Sequence, residues 1–149
     1  MDDPIPNWLR TVFLVHLILA LVFGGLLYLI PGRTLTGVGW VPVQVGLPGS
    51  ELRIPGSTFV DPVISRIVGA ALLGLAYTSF RGWRATRRQE VHLVLQMEAI
   101  FCVLSVGAFL AGLLFWERPM PVIGWVFVCL FAVFGVAWLW AIWSRRRKI

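Results

Sequence analysis

Cysteine and histidine, the residues that most often hold metals or carry redox chemistry, are scarce in this chain, with two of each among 149 residues. Cys102 and Cys129 lie at different depths of two apolar segments, so no disulfide between them is expected. They do not form a C-x-x-C pair, which argues against a thiol-redox enzyme. No H-E-x-x-H, G-x-S-x-G or Walker motif occurs. These absences predict a protein that is not an enzyme.

Alternation between apolar and polar residues is also missing. Apolar residues make up 58% of the chain, above the roughly 45–50% of a soluble domain, and they run continuously, as in Phe13–Leu19. A transmembrane β-barrel would need strands of about ten residues that alternate in character. The pattern therefore favours membrane-spanning helices.

Four apolar segments each approach the roughly 20 residues with which an α-helix crosses about 30 Å of hydrocarbon. They are Trp8–Ile30, Pro62–Phe80, Val91–Trp116 and Val122–Trp143. The first is longer than the roughly 7–15 apolar residues of a signal peptide, so we interpret it as a retained helix. The sequence predicts one all-α integral membrane domain over residues 1–149, a bundle of four transmembrane helices.

The basic residues are unevenly divided between the two sides of such a bundle. Most fall in the N-terminal segment, in the loop after the second span and in the C-terminal tail, whereas Arg33, Arg53 and Arg118 lie on the other side. The positive-inside rule then places both termini in the cytoplasm. Span ends and lipid headgroups explain the net charge of +6, so nucleic acid is not an expected partner. The preference for arginine over lysine is consistent with a GC-rich bacterial genome, and hence with a bacterial plasma membrane.

Residues 31–61 form the long outer loop between the first two spans. The loop is rich in glycine and proline, and two β-like runs, Val41–Val45 and Leu52–Ile54, flank a turn-forming stretch. We expect a short β-hairpin there. Asp61 and Pro62 predict the start of the second helix, because Asp caps helices and Pro suits the first helical position. Loops of this length often have a role; contact with a partner and passive cover of the helices are the two alternatives.

Ionisable groups within the spans are costly in a bilayer, and Glu98 is the most informative of them. It lies roughly 10 Å into the third span at helical rise, so it is either protonated or paired. His16 lies at about the same depth in the first span, and a His16–Glu98 contact follows if those helices are neighbours. Cys102 and Ser105 share the Glu98 face. These four residues form the candidate ligand or proton site; the alternative is a polar contact that only fixes helix packing.

Arg66 lies inside the second span, close to the outer surface. Its guanidinium can reach the lipid headgroups or pair with Asp61 or Glu117. The second and third spans contain pairs of small residues four positions apart. Such pairs let helices approach closely in lipid. They are Ala70 with Gly74, Gly107 with Ala111, and Ala108 with Gly112.

The second histidine, His92, begins the third span, and Gln96 follows one turn later on a face roughly opposite Glu98. With Arg66 these residues form a second polar group. Either His16 or His92 can ligate a haem or a chlorophyll alone, and they are the only metal-ligand candidates. The sequence itself requires no cofactor.

The sequence favours an accessory or interaction subunit of a larger membrane assembly, with membrane lipids and other subunits, or further copies of the chain, as partners. One alternative is a small carrier or sensor for a proton-linked or lipophilic ligand at Glu98 and His16. Another is a haem- or chlorophyll-bearing subunit. A water-filled cavity at Glu98 would favour the carrier or sensor, and a dry, closed bundle would favour the subunit.

Overall fold

The computed structural model describes residues 4–115 and 121–146. Five helices and one small antiparallel sheet make up most of these residues. They are α1 Asn7–Leu29, α2 Pro31–Gly37, β1 Gln44–Gly46, β2 Arg53–Pro55, α3 Pro62–Arg84, α4 His92–Phe115 and α5 Val122–Arg146. Short 3₁₀ turns at Gly56–Phe59 and Arg88–Val91 precede α3 and α4.

Four of these helices, α1, α3, α4 and α5, are long and apolar enough to cross a membrane. They match the four predicted segments but differ at the ends. α3 continues to Arg84 and α5 to Arg146, because a helix need not stop where hydrophobicity does and arginine is favourable in a last turn. The predicted end of the third segment, Trp116, lies outside the described residues.

The start of α3 follows the sequence signal. The Asp61 carboxylate accepts hydrogen bonds from the backbone N–H groups of Val63, at 2.8 Å, and Ile64, at 3.1 Å. Pro62 occupies the first turn, where its missing N–H leaves nothing unpaired. The predicted cap is confirmed.

The loop between α1 and α3 contains more structure than the sequence predicted. β1 pairs with β2 in antiparallel register, so the hairpin is present, but its strands are shifted from the expected runs. Gly49 in its turn has a φ of 75°, a conformation that favours glycine. The first part of this loop, Pro31–Gly37, is helix α2. Pro31 suits its first position, and one glycine does not end a helix.

α1 packs along most of α3, and glycines make this contact close. A Cβ atom on Gly69 would lie 2.7 Å from the Tyr28 backbone nitrogen and 2.9 Å from the Gly24 carbonyl oxygen. Further along, the ring of Phe13 fills the space where Gly82 would carry a side chain. The two backbones therefore approach as glycine allows in lipid-embedded helices.

The small residues singled out in the sequence are not those used in this contact. Cβ atoms on Gly74 and Gly107 would meet nothing within 4 Å, and Ala70, Ala108 and Ala111 are exposed. Spacing alone does not say which side of a helix faces a neighbour. For these five residues the expectation of close helix packing is not met within the described chain.

α4 packs along α5, and this second pair meets the first pair around a buried core. The core is dominated by large apolar side chains, with small ones where helices cross: Leu9, Phe13, Leu95, Ala99, Phe134, Trp138 and Ala141. It lies toward one end of the bundle only.

The described chain both begins and ends there. The Ile5 N–H donates to the Thr86 carbonyl at 3.4 Å, so the N-terminal segment runs beside the chain that links α3 to α4. The buried guanidinium of Arg88 donates to the Ala141 carbonyl and, at 2.7 Å, to the Ser144 hydroxyl near the end of α5. We call this end, with residues 4–6, 85–91 and 141–146, the termini end. The opposite end, with residues 31–61, is the hairpin end.

Candidate functional site

Three helices bring polar side chains together inside the half of the bundle nearer the termini end. His16 of α1 lies with Nδ1 2.7 Å from the Ser79 hydroxyl of α3. That hydroxyl donates to Glu98 Oε1 of α4 at 3.2 Å, and Glu98 Oε2 lies 3.6 Å from His16 Nε2. Ser79 and Glu98 are 0% exposed and His16 is 5% exposed. We call His16, Ser79 and Glu98, with Thr78, the polar cluster.

Thr78, the fourth member, sits beside Ser79 on α3. Its hydroxyl lies 3.1 Å from Glu98 Oε1 and 2.8 Å from the Leu75 carbonyl oxygen. One hydroxyl hydrogen serves these two acceptors, and Glu98 is the one on another helix. Sequence reasoning missed both Thr78 and Ser79. The sequence did contain a signal for them. Thr78 and Ser79 are adjacent hydroxyl residues in the second apolar span, at a depth close to that of Glu98.

The number of hydrogen atoms available to these groups limits the protonation states that the polar cluster can adopt. Because Ser79 gives its single hydrogen to Glu98, it must accept one from Nδ1 of His16. A neutral His16 then presents a bare Nε2 to Glu98 Oε2, which is favourable only if one more proton lies between them. That proton makes either a neutral acid beside a neutral imidazole or a carboxylate beside an imidazolium. Both forms have no net charge, the form that costs least in a dry interior.

The His16–Glu98 separation decides the nature of their contact. At 3.6 Å it is longer than a hydrogen bond. Glu98 Oε2 has no hydrogen-bond partner among the described residues. The polar cluster therefore has one unfilled acceptor position, next to the nitrogen that can fill it after a small movement.

Aromatic rings of α5 close the cluster on its remaining side. The His16 ring meets Phe134 edge-on at 4.9 Å between centroids and Trp138 at 5.9 Å. Phe13 packs against Trp138 at 4.8 Å. The rings exclude water, so electrostatic interactions within the cluster are strong and unpaired polar atoms are costly.

Two cavities continue from the cluster toward the hairpin end. A small one of about 50 Å³ is lined by His16 and by apolar side chains, among them Phe23, Phe127 and Phe134. A larger crevice of about 300 Å³ follows, between α1, α2 and α3 on one side and α4 and α5 on the other. Phe23 and Phe127 line both spaces, with ring centroids 5.6 Å apart. This aromatic pair lies between the crevice and His16.

The two other residues predicted for the site lie differently. Cys102 is fully buried one helical turn from Glu98, against Gly135 of α5, where a Cβ atom would lie 3.3 Å from that of Cys102. It packs in the core. Ser105 is half-buried, and no hydrogen bond joins it to the polar cluster in the described part of the chain. The structure thus brings together His16 and Glu98 but not Ser105.

Arg66 has a different partner from those expected. Its Nε donates to the Tyr28 carbonyl oxygen at 3.3 Å, in the last turn of α1, where helix carbonyls lack partners of their own. The alternative of an ion pair with Asp61 is not seen among the described residues, and the Asp61 carboxylate caps α3. Glu117, the other expected partner, lies outside the described residues.

His92 and Gln96 lie apart from the cluster, at the start of α4. His92 is half-buried and Gln96 is exposed. No group of three or more potential ligands among histidine, cysteine, aspartate and glutamate comes together in residues 4–115 and 121–146. Both nitrogens of His16 face Ser79 and Glu98, and the space beside the ring is about 50 Å³. This geometry favours hydrogen bonding by His16 over axial ligation of a haem or a chlorophyll.

No model of a known protein family, no curated protein and no solved structure matches this chain. The geometry of the polar cluster and the crevice is therefore the basis for the functional argument.

Proposed function

We propose that the protein is an integral protein of a bacterial plasma membrane, a bundle of four spanning helices with both termini in the cytoplasm. The support is the length and apolar character of α1, α3, α4 and α5, together with the arginines at the termini end. The long loop with its hairpin then faces outward.

Cysteine labelling tests this orientation. Ser50→Cys and Thr86→Cys place a thiol in the hairpin and in the segment between α3 and α4, both exposed. A membrane-impermeant maleimide added to intact cells should label the first and not the second. The unaltered chain is the control, because Cys102 is buried and Cys129 lies within α5. Labelling of Thr86→Cys from outside would reverse the orientation.

Within the membrane, we propose that the protein binds a lipophilic small molecule, as a carrier or a sensor. The observation that carries this proposal is the apolar crevice that approaches His16 of the polar cluster. Its volume of about 300 Å³ is at the lower end of the range for small-molecule sites. Ligand sites of this kind combine apolar walls with a few fixed polar groups.

The polar cluster links the binding of such a ligand to the protonation of His16 and Glu98. A headgroup that passes the Phe23–Phe127 pair reaches His16, whose Nε2 faces Glu98 Oε2 across 3.6 Å, a gap that a proton on either atom would turn into an attraction. An acceptor on the ligand competes with Glu98 Oε2 for that proton, so binding and protonation are coupled. The cavity reaches His16 rather than Glu98 and has an apolar lining, so the ligand must be lipophilic rather than an ion in water.

Tryptophan fluorescence can test this binding, since Trp40 lines the crevice. The purified chain in lipid nanodiscs is titrated with a decyl-substituted benzoquinone, a flat, lipophilic acceptor that quenches tryptophan. Val68→Phe places a larger side chain in the crevice, and Ile67→Phe on the same helix makes the same type of change outside it. We expect saturable quenching that Val68→Phe weakens about tenfold and Ile67→Phe does not. Linear quenching, or equal effects of the two variants, would contradict the proposal.

A second function, an accessory subunit of a membrane assembly, has its own support. Gly74 and Gly107 leave open space on α3 and α4, and exposed small residues let a partner helix approach closely. The test is purification in mild detergent followed by mass spectrometry of co-purifying proteins. Gly107→Leu should release a partner, whereas Gly25→Leu on α1 should not, because Gly25 has leucines rather than small residues four positions away. Recovery of the chain alone and monodisperse would remove this second function.

A further inference from the structure

An open hollow of about 370 Å³ lies at the termini end, apart from the polar cluster and the crevice. Four of its lining residues come from the end of α3, and two from the chain that follows: Tyr77, Phe80, Arg81, Arg84, Ala85 and Glu90. The spacing of the α3 residues puts them on one face of the helix. Glu90 faces them from the segment before α4.

The two guanidinium groups in this hollow are not neutralised by the protein. Arg81 and Arg84 are exposed, and no salt bridge joins either of them to a carboxylate in the described ranges. The Arg84 guanidinium lies over the Phe80 ring, 5.7 Å from its centroid. A cation–π contact of this kind orients the group and leaves its N–H edge available for an anion.

The single carboxylate of the hollow is held in place. Glu90 Oε2 accepts a hydrogen bond from the Thr86 backbone N–H at 3.3 Å. Glu90 stays exposed, and its other oxygen has no hydrogen-bond partner among the described residues. The hollow therefore combines two cations on α3 with one fixed anion opposite them, an arrangement complementary to a zwitterion with separated charges.

We propose that this hollow binds the phosphoethanolamine headgroup of a membrane phospholipid. Arg81 and Arg84 take the phosphate, for which the planar guanidinium offers paired N–H donors. Glu90 takes the ammonium group, which donates up to three hydrogen bonds. Tyr77, which is 61% exposed, and Phe80 extend the site along α3 toward the hydrocarbon, where aromatic rings suit the boundary between headgroup and acyl chain.

Glu90 is the residue that makes the site selective. A choline headgroup carries the same charges, but its methylated nitrogen has no N–H to donate. A glycerol headgroup has hydroxyl groups but no cation, so any hydrogen bond that it donates to Glu90 lacks the charge of the ammonium group. This site is separate from the crevice, and its occupancy does not depend on whether the crevice holds a ligand.

Native mass spectrometry of the full chain in detergent tests the site. The purified protein is titrated separately with dioleoyl lipids bearing ethanolamine, choline or glycerol headgroups, and bound lipids are counted. We expect the ethanolamine lipid to bind about tenfold more tightly than either of the others, the ratio that one charge-assisted hydrogen bond supplies. Equal affinities for the three lipids would overturn the proposal.

Two variants and a matched control separate the roles of the charges. Glu90→Gln keeps an acceptor for Thr86 and should bind the ethanolamine lipid no better than the choline lipid. Arg81→Gln combined with Arg84→Gln should weaken all three lipids, whereas Arg33→Gln at the hairpin end should change nothing. A preference for ethanolamine that survives Glu90→Gln would contradict the assignment of that residue.

Soluble phosphoethanolamine distinguishes the headgroup from the rest of the lipid. If the headgroup alone supplies the affinity, millimolar phosphoethanolamine should displace the bound lipid from the unaltered chain. If the side chains of Tyr77 and Phe80 also contribute to the affinity, phosphoethanolamine should fail to displace the lipid from the unaltered chain. It should then displace the lipid from Tyr77→Ala. Displacement by choline phosphate as effective as by phosphoethanolamine would overturn the proposal.

Discussion

The two ends of this helix bundle are built differently from the same four helices. Toward the termini end, large rings and the polar cluster fill the interior, and Glu98 and Ser79 are completely buried. Toward the hairpin end, α1 and α3 stay in close contact through Gly24 and Gly69, but the α4–α5 pair stands away from them and leaves the crevice of about 300 Å³.

This difference indicates how a small bundle of apolar helices combines close packing at one end with an open space at the other. In lipid, an apolar side chain gains little free energy when it moves from the hydrocarbon into a helix interface, because both environments are apolar. Packing and interhelical hydrogen bonds therefore hold helices together. Here those bonds are concentrated in one half. The other half is then free to keep a space between helix pairs, provided that each pair is stable by itself.

The largest effect is expected from Gly69→Leu, which tests whether the α1–α3 pair holds the hairpin end. A side chain there would collide with the backbone of Tyr28 and Gly24, which cannot rotate aside. We expect the free energy of unfolding to fall by about 3 kcal/mol, as for overpacked sites. Equilibrium unfolding in mixed detergent micelles would measure it.

Gly74→Leu is the matched control on the same helix, since a side chain there meets nothing within 4 Å. It should leave the stability unchanged or slightly raised, because leucine favours a helix more than glycine does. If both variants destabilise the protein equally, the close contact of α1 and α3 is not what holds this half together.

The next effect concerns Glu98, at the centre of the termini half. Glu98→Leu removes the acceptor for Ser79 and Thr78 and should lower the free energy of unfolding by about 1 kcal/mol, the scale of interhelical hydrogen bonds in membranes. Glu98→Gln should fold normally, because its amide oxygen accepts from both hydroxyls and its N–H₂ donates to His16. Thermal unfolding in detergent would compare the two.

The same pair of variants separates structure from function. An amide cannot titrate. If Glu98 has a proton-linked role, Glu98→Gln should be stable, but its affinity for the benzoquinone should no longer depend on pH. If the Gln variant binds and couples as the unaltered chain does, the polar cluster serves helix packing alone. Unchanged stability together with unchanged pH coupling in both variants would remove Glu98 from either role.

The smallest effect is expected for Thr78→Val, which keeps the shape of the side chain and removes one hydroxyl from the cluster. Glu98 retains Ser79, so the loss should be about 0.6 kcal/mol. Thr11→Val is the control, because the Thr11 hydroxyl bonds only to the Asn7 carbonyl of its own helix. A loss as large as that of Glu98→Leu would place the main interhelical bond at Thr78 rather than at Ser79.

The sequence was sufficient for the four membrane-length helices and for the equal depth of His16 and Glu98, since both follow from counting residues along apolar runs. It did not predict Ser79 between them. Depth along a helix can be counted, but rotation about its axis depends on neighbours, and uniformly apolar spans give no polar face to orient them.

Other misses have the same kind of cause. The acceptor of Arg66 is a backbone carbonyl of Tyr28, a group that every residue has and no sequence pattern marks. The helix at Pro31–Gly37 was hidden because proline and glycine usually end helices, yet proline at the first position favours one. Gly69 and Gly74 look alike in sequence; only the path of α1 makes one of them necessary.

The bonds of Arg88 have a consequence for how the chain is made. Its guanidinium holds the carbonyl of Ala141, 53 residues further along, and the hydroxyl of Ser144. During synthesis the N-terminal segment can contact Thr86 as soon as that residue is made. Arg88 can form its bonds only after the end of the last helix has been made. A ribosome that stops short of Ala141 therefore releases a protein whose first helix pair is assembled and whose arginine lacks both of its acceptors.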